Sequence, residues 1–145
     1  MKRGISMLKY NLWGFEVEID EYATSAWYKT ADLWGCKCKH CRNFLLAAQK
    51  RAFPDSVLQI LDKLAIPPEK ATYVCELYPI DGGHCYQFSY RIAGKILAEC
   101  TPPKKQNVGI GICGYEIYPY GAPNFPEPHF DLEFSLNLSW VLEDT

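Results

Sequence analysis

Three cysteines lie within six residues of one another in the segment 34–44, whose sequence is Trp-Gly-Cys-Lys-Cys-Lys-His-Cys-Arg-Asn-Phe. They are Cys36, Cys38 and Cys41, and the residues that follow them have the spacing of a helix. Thiolates bind Zn²⁺ well, and closely spaced cysteines in front of a helix can supply two or three of its ligands. The lysine and arginine side chains beside them would offset the charge of such a site. We therefore interpret this segment as a candidate zinc site.

A structural zinc site needs a fourth ligand, and the chain has no second Cys-x-x-Cys pair to provide it. We expect Cys75 or His84 to be this ligand. Further candidates are Cys85, Cys100, His129 and, within the cluster itself, His40. The three histidines lie in separate segments with no catalytic motif around them, so we predict that each is a turn or surface residue and not a general base.

Two other interpretations of the cysteine segment remain open. Cys38-Lys-His-Cys41 matches the Cys-x-x-Cys pair of redox proteins, in which the helix dipole acidifies the first thiol, helped here by Lys39 and His40. A thioredoxin-like fold places a strand directly before this pair, whereas a helix is predicted here, and Cys36 has no role in that chemistry. In the third interpretation the thiols are semi-buried small side chains that pack a tight turn.

Size and composition narrow the class of protein. A chain of 145 residues is sufficient for one domain with its own core. The net charge of −2 argues against a general nucleic-acid binder, which needs a basic face. No apolar run is long enough for a signal peptide or a membrane span. Seven cysteines are an odd number, so without an export signal we expect reduced thiols and a cytoplasmic protein.

Helices are predicted in the N-terminal half, on both sides of the cysteine segment. Aspartate is a typical N-cap residue, glycine commonly follows the last helical turn, and proline cannot continue a helix. The predicted helices extend from Asp20 as N-cap to Gly35 as terminating residue, from Arg42 to Phe53-Pro54, and from Asp55 or Ser56 to about Ala65.

The remaining sequence predicts strands. A change of apolar phase at Trp13-Gly14 indicates a bulge or tight bend, and Asp81-Gly82-Gly83 indicates a hairpin turn. Apolar and polar residues alternate along 130–140, which predicts one buried face and one solvated face, with Asp131 and Glu133 on the solvated one. We predict an α+β fold in which two or three helices from the N-terminal half pack on one face of an antiparallel sheet, in a single domain of residues 1–145.

A proline-rich segment precedes this last strand and is predicted to be a long, ordered loop. It contains four prolines between residues 118 and 128. Aromatic side chains on a loop stiffened by proline lose little entropy on binding. Tyr118, Tyr120 and Phe125 are therefore our candidates for contacts with a protein partner.

The chain resembles a family of small bacterial and phage proteins. The resemblance covers most of the chain, and the cysteine motif is its most specific part. It implies no particular activity, but it implies that the cysteine segment belongs to the domain itself. The similar features are Trp27-Tyr28, Trp34-Gly-Cys-x-Cys-x-x-Cys-Arg-Asn-Phe44, Tyr90-Arg91-Ile-x-Gly94, Phe125-Pro-Glu-Pro and the closing Trp140-Val-Leu142.

Taken together, these patterns predict a small cytoplasmic, non-catalytic binding module with a structural zinc in its cysteine cluster. It would act through protein–protein contacts, as an inhibitor or an immunity-type protein of bacterial conflict does. The alternative prediction is a thiol–disulfide redox protein in which Cys38 is the nucleophile and Cys41 the resolving thiol.

Overall fold

The computed structural model describes residues 7–98, 111–115 and 118–143. It confirms the predicted α+β class, because the described residues form an antiparallel sheet of six strands together with three helices. In chain order the elements are β1 (Met7–Leu12), β2 (Phe15–Asp20), α1 (Glu21–Lys29), α2 (Lys39–Gln49), α3 (Asp55–Lys63), β3 (Tyr73–Ile80), β4 (Gly83–Ala98), β5 (Ile112–Gly114) and β6 (His129–Ser139). None of these described helices has the length and apolar character needed to cross a membrane.

The sixteen-residue strand β4 is the centre of the sheet. Its first part pairs with both β3 and β6, and its last residues pair with β2, which in turn pairs with β1. Gly94 lies where β4 meets β2, and a Cβ atom on this residue would be 1.9 Å from the Glu18 carbonyl oxygen. Glycine is therefore required at this position for the two backbones to approach so closely.

Two tight hairpins arise where the sequence predicted turns. Trp13 and Gly14 both have positive φ angles, 53° and 96°, and they connect the paired residues Leu12 and Phe15. The phase change thus marks a two-residue hairpin of the kind that matches strand twist. Asp81-Gly82 also forms a two-residue connection, from β3 to β4, in which Gly82 has a positive φ of 78°.

The helices begin and end partly as predicted. Asp20 caps α1, and its carboxylate accepts a hydrogen bond of 2.9 Å from the Ala23 backbone N–H. The predicted end at Gly35 is wrong, because α1 ends at Lys29 and residues 31–37 have no regular structure. Helix α2 starts at Lys39, three residues before the predicted start, and α3 starts at Asp55 as predicted.

The main core lies between the sheet and the helices. Phe44 of α2 contacts the rings of Tyr86 and Phe88, which project from β4, and Phe53 stacks on Phe88. The facing residue of β6 is Phe134, which is fully buried. These contacts place α2 and the residues after it over one face of the sheet, as the alternation along 130–140 predicted.

The opposite face of β6 is not solvated along its whole length, contrary to the prediction. Asp131 and Glu133 are both buried, with exposures of 1% and 9%. Asp131 pairs with Arg91 of β4, whose guanidinium also donates a hydrogen bond to the Tyr118 carbonyl. The loop that starts at Tyr118 therefore covers this part of the face, while Asn137 at the other end of the strand remains exposed.

Candidate metal centre and the neighbouring cleft

The three cysteines converge at the N-terminus of α2. Cys38 is the N-cap residue, and its Sγ accepts a hydrogen bond of 3.4 Å from the Cys41 backbone N–H, one helical turn later. Cys36 belongs to the irregular segment 31–37, which passes in front of the helix. All three Sγ atoms lie within 4.8 Å of one another. The predicted cluster is thus assembled by a single local segment and the helix that follows it.

The first and last thiols of the Cys38-Lys-His-Cys41 pair differ in their surroundings. Cys38 is exposed, and the backbone N–H of Cys41 is the main cause of its lowered pKa. Cys41 is buried, and that burial raises its pKa to about 12. The positive end of the helix dipole also favours a thiolate at the N-cap. The cluster therefore presents one readily ionised thiol at the surface and one protected thiol beneath it.

Trp34 connects the cluster to the sheet. Its indole Nε1–H donates a hydrogen bond of 3.3 Å to Cys41 Sγ. Its ring packs edge-on against Tyr73 of β3 and against Tyr118. Donors of this kind orient metal ligands and tune their basicity in metal sites. Trp34 thus fixes the position of the Cys41 thiol relative to the rest of the fold.

This donor set suits a thiophilic ion such as Zn²⁺. Tetrahedral ligation with Zn–S bonds of about 2.3 Å places sulfur atoms about 3.8 Å apart, so thiols already within 4.8 Å need only small shifts to share one ion. The side chains of Lys37, Lys39 and Arg42 flank the cluster, and no acidic residue occupies the first turn of α2. The three cysteines can therefore bind a metal ion as three thiolates.

The structure does not bring the predicted fourth ligands into this cluster. The Cys75 thiol donates a hydrogen bond to the Glu76 carbonyl, and His84 belongs to a different group of side chains. Cys85 is buried in β4 and His129 lies beside Phe125, whereas Cys100 is outside the described residues. Among the described residues the thiol cluster contains three ligands, and Cys100 stays a prediction for the fourth.

A second group of possible ligands was not predicted from the sequence. It consists of His40, Glu76 and His84, and each offers one ligand atom within 4.8 Å of the others. From the sequence, we predict His40 and His84 as turn or surface residues or as a fourth ligand of the thiol cluster, and no pattern in the sequence indicates Glu76. No local motif marks this group, because its members come from α2, β3 and β4.

A cleft of about 700 Å³ opens beside the cysteine cluster. One wall is the irregular segment with Asp32, Trp34 and Cys36, and the other is the loop with Tyr118 and Tyr120. Asp32 is the one charged side chain among the described residues that line it. The cleft therefore combines aromatic surface with a single carboxylate, and its first wall carries three residues of the cysteine motif, Trp34, Gly35 and Cys36.

The three predicted partner contacts have different surroundings. Tyr120 is 80% exposed. Among the described residues, its one aromatic contact is a T-shaped contact with the Tyr118 ring. Tyr118 is half-buried and stacks on Tyr73 with ring centroids 4.8 Å apart. Phe125 is buried and packs against Trp27 and Tyr28, so its ring belongs to the core and is not available on the surface.

No protein-family model, curated protein or solved structure matches this chain. The resemblance to small bacterial and phage proteins therefore remains a prediction from the sequence. Fold and site geometry alone carry the functional argument.

Proposed function

We propose that this protein is a small, non-catalytic binding module of the cytoplasm that holds a structural Zn²⁺ at Cys36, Cys38 and Cys41. In this proposal it binds a protein partner in the cleft beside the cluster, as an inhibitor or immunity-type protein does. The observation that carries the proposal is the position of Trp34, whose indole donates to Cys41 Sγ while its ring lines the cleft. The metal centre and the binding surface therefore share one residue.

A bound metal ion would order the wall of the cleft. Residues 31–37 form no helix or strand, so their backbone is not held by a regular hydrogen-bond ladder. Ligation of Cys36 and Cys38 by the same ion would close this segment onto the start of α2. Metal binding would in this way fix Trp34 and Asp32 in the orientation that a partner meets.

We expect the partner to contact mainly the aromatic side chains of the cleft, Tyr120, Tyr118 and Trp34. Tyr120 exposes most of its ring, and rigid aromatic side chains are frequent energetic centres of protein interfaces. Tyr118 and Trp34 extend this aromatic surface into the cleft. Asp32 adds one carboxylate, so the complementary surface is an apolar side chain with a basic group beside it.

Metal analysis of the purified protein tests the zinc centre. We expect about one Zn²⁺ per chain, lost together with thermal stability in Cys38→Ser and in Cys41→Ser, because each variant removes one thiolate ligand. Cys113→Ala is the matched control, since Cys113 is a buried cysteine outside the cluster. Protein that is metal-free after purification in the presence of zinc contradicts this part of the proposal.

Affinity purification with variant baits tests the binding surface. We expect at least one protein to be captured by the wild-type bait and by the Tyr78→Ala bait but not by the Tyr120→Ala bait. Tyr78 is a suitable control because it is an exposed tyrosine on β3, 51% accessible, and does not line the cleft. Equal retention of every captured protein by the two variants would exclude Tyr120 as a partner contact.

A second candidate function is thiol–disulfide exchange, and the burial contrast between Cys38 and Cys41 favours it. An exposed N-cap thiol beside a buried one is the arrangement of a nucleophile and its resolving partner. Oxidation would join the two sulfurs in a disulfide and pass two electrons and two protons to a substrate disulfide, which becomes two thiols.

Cys36 has no role in this reaction, and we therefore place the redox function second. Metal-free protein with a readily reducible Cys38–Cys41 disulfide would reverse that order.

A further inference from the structure

His40, Glu76 and His84 form a second cluster of possible ligands, to which the first turn of α2 contributes His40. His40 is the second residue of α2, Glu76 lies in β3 and His84 lies near the start of β4. One ligand atom from each residue lies within 4.8 Å of the other two. The helix and the β3–β4 hairpin therefore bring two imidazoles and one carboxylate together from positions far apart in the sequence.

The side chains of this cluster contact one another, and neighbouring aromatic residues pack around them. His84 Nδ1 and Glu76 Oε2 are 2.8 Å apart, and both side chains are about one-fifth exposed, 20% and 21%. The His40 and His84 rings are 4.7 Å apart between centroids, and the Trp140 ring packs against both. The Tyr86 hydroxyl donates a hydrogen bond to the His40 carbonyl, which anchors the start of the helix over the sheet.

One imidazole nitrogen in this cluster has no partner. His40 Nδ1 is buried from solvent and makes no hydrogen bond within the described part of the chain. Buried polar atoms are nearly always paired, so an unpaired nitrogen on a ring that groups with a carboxylate and a second imidazole points to a ligand. A cation that accepts electron pairs from nitrogen and oxygen would satisfy it, whereas an apolar ligand would not.

We propose that His40, Glu76 and His84 form a second metal site, separate from the cysteine cluster, for a divalent transition-metal ion such as Zn²⁺. Two imidazoles and one carboxylate are a known ligand set for this ion, and they leave a fourth position open. Bonds of about 2.0–2.2 Å place tetrahedral ligands roughly 3.4 Å apart, which these side chains reach with small rotations. Imidazole and carboxylate ligands also bind Co²⁺ and Ni²⁺.

The open position distinguishes this site from a purely structural one. Because Glu76 and His84 are partly exposed, water or an anionic group from another molecule can reach the bound ion. The Trp140 ring packs against the two imidazoles, with ring centroids 6.1 and 5.4 Å away. The site would therefore bind a carboxylate, a phosphate or a water molecule at its fourth position.

Co²⁺ titration of a variant without the cluster thiols tests this site by itself. The protein is Cys36→Ser/Cys38→Ser/Cys41→Ser in metal-free form, and the readout is the visible absorption of bound cobalt. We expect one Co²⁺ per chain with the spectrum of nitrogen and oxygen ligands and without the sulfur-to-cobalt charge-transfer band. Adding His84→Ala or Glu76→Gln should weaken binding at least about tenfold, because each change removes one ligand.

The third histidine provides a matched control. His129 lies 3.8 Å from Glu127 at a separate place, and His129→Ala in the same background should leave cobalt binding unchanged. Circular dichroism establishes that each variant is folded. If the triple variant does not fold, the same titration of the wild type should show a second cobalt ion without sulfur ligands, lost in Glu76→Gln. The second site is overturned if no cobalt binds without sulfur ligands, or if such binding is the same with and without His84→Ala and Glu76→Gln. Neither result affects the cysteine site.

Discussion

A buried ion pair connects the two central strands. Arg91 Nε and Nη2 donate hydrogen bonds of 2.6 and 2.9 Å to the two carboxylate oxygens of Asp131, and both side chains are almost completely buried. The residues face each other across the β4–β6 ladder. Such a pair contributes little net stability relative to apolar residues, but removal of one partner leaves an uncompensated buried charge.

We therefore predict that Asp131→Asn lowers the free energy of unfolding by about 3–5 kcal/mol, measured by urea denaturation. The control is Asp62→Asn, because Asp62 makes a similar two-bond pair with Arg51 at the surface, where the side chains are about half exposed. That variant should leave the unfolding free energy close to that of the wild type, because exposed ion pairs contribute little. Equal effects of the two substitutions would mean that burial of the Arg91–Asp131 pair is unimportant.

Glu133 is the second acidic residue on this covered face, and its pKa is raised. Burial is the main cause, the nearby Asp131 adds to it, and a hydrogen bond from the Gln87 amide opposes it. The folded protein thus holds the proton more strongly than the unfolded chain does. The resulting stability is fully present below the unfolded pKa, and it is lost as the pH rises through the higher folded pKa.

We predict that Glu133→Gln stabilises the protein in a pH-dependent way. The glutamine keeps an oxygen that accepts from Gln87 but carries no buried charge. Its advantage over the wild type should be smallest in acid and should rise to a plateau above the folded pKa of Glu133, measured by urea denaturation across that range. Glu143→Gln, at an exposed position, is the control for the same chemical change away from the covered face. A difference that is constant with pH would contradict the assigned burial cost.

At the scale of elements, Asn43 attaches the C-terminal segment to α2. Its side-chain oxygen accepts hydrogen bonds from the Val141 and Leu142 backbone N–H groups at 2.7 and 3.1 Å, and its amide donates to the Ser139 carbonyl. Asn43 is fully buried. One side chain therefore replaces the strand partner that the backbone after β6 lacks.

We predict that Asn43→Ala lowers the free energy of unfolding by about 2–4 kcal/mol, because three backbone groups lose their partner. Amide hydrogen exchange should show that protection of Val141 and Leu142 falls more than that of residues in the middle of β6. Asn137→Ala, at an exposed position of the same strand, is the control and should have a small effect on both measurements. Unchanged exchange at residues 141 and 142 would exclude this role.

Elements with local causes were predictable from the sequence. The Asp20 cap and the Asp81-Gly82 turn depend on residues within a few positions of one another, and both occur as expected. The end of α1 was misplaced, because Gly35 looks like a terminator while the helix ends six residues earlier. The segment after it is held by tertiary contacts of Trp34 with Tyr73 and Tyr118, which no local pattern reveals.

At the scale of the whole molecule, one candidate site depends on neighbouring residues and the other on tertiary contacts. The thiol cluster was predictable because Cys36, Cys38 and Cys41 belong to one short segment. The cluster of His40, Glu76 and His84 was not predictable, because His40 approaches Glu76 only when α2 packs on the β3–β4 hairpin. The covered face of β6 was also missed, since an alternating strand gives no sign that a loop lies over its polar side.

That loop connects several parts of the fold. The Tyr118 carbonyl accepts from Arg91 of β4, the Pro123 carbonyl accepts from the Trp27 indole of α1, and the Phe125 ring packs on the same helix. At Gly121 the loop backbone passes very close to the start of β3, where a Cβ atom would lie 1.6 Å from the Thr72 carbonyl oxygen. The position of one wall of the cleft therefore depends on this contact.

We predict that Gly121→Ala displaces the loop and destabilises the protein by about 1–3 kcal/mol, because the added methyl group overlaps backbone atoms that cannot move independently. The matched control is Gly35→Ala on the opposite wall of the cleft, where an added Cβ meets no atom within 4 Å. Hydrogen exchange of residues 118–125 should increase in the first variant and remain as in wild type in the second. Tyr118 of the loop accepts from Arg91, the partner of Asp131, and stacks on Tyr73, which lies near Glu133. The exposure of both carboxylates should therefore also increase, and the stabilising effect of Glu133→Gln should shrink in the Gly121→Ala background. Additive effects of these two substitutions would show that the loop does not control burial of this face.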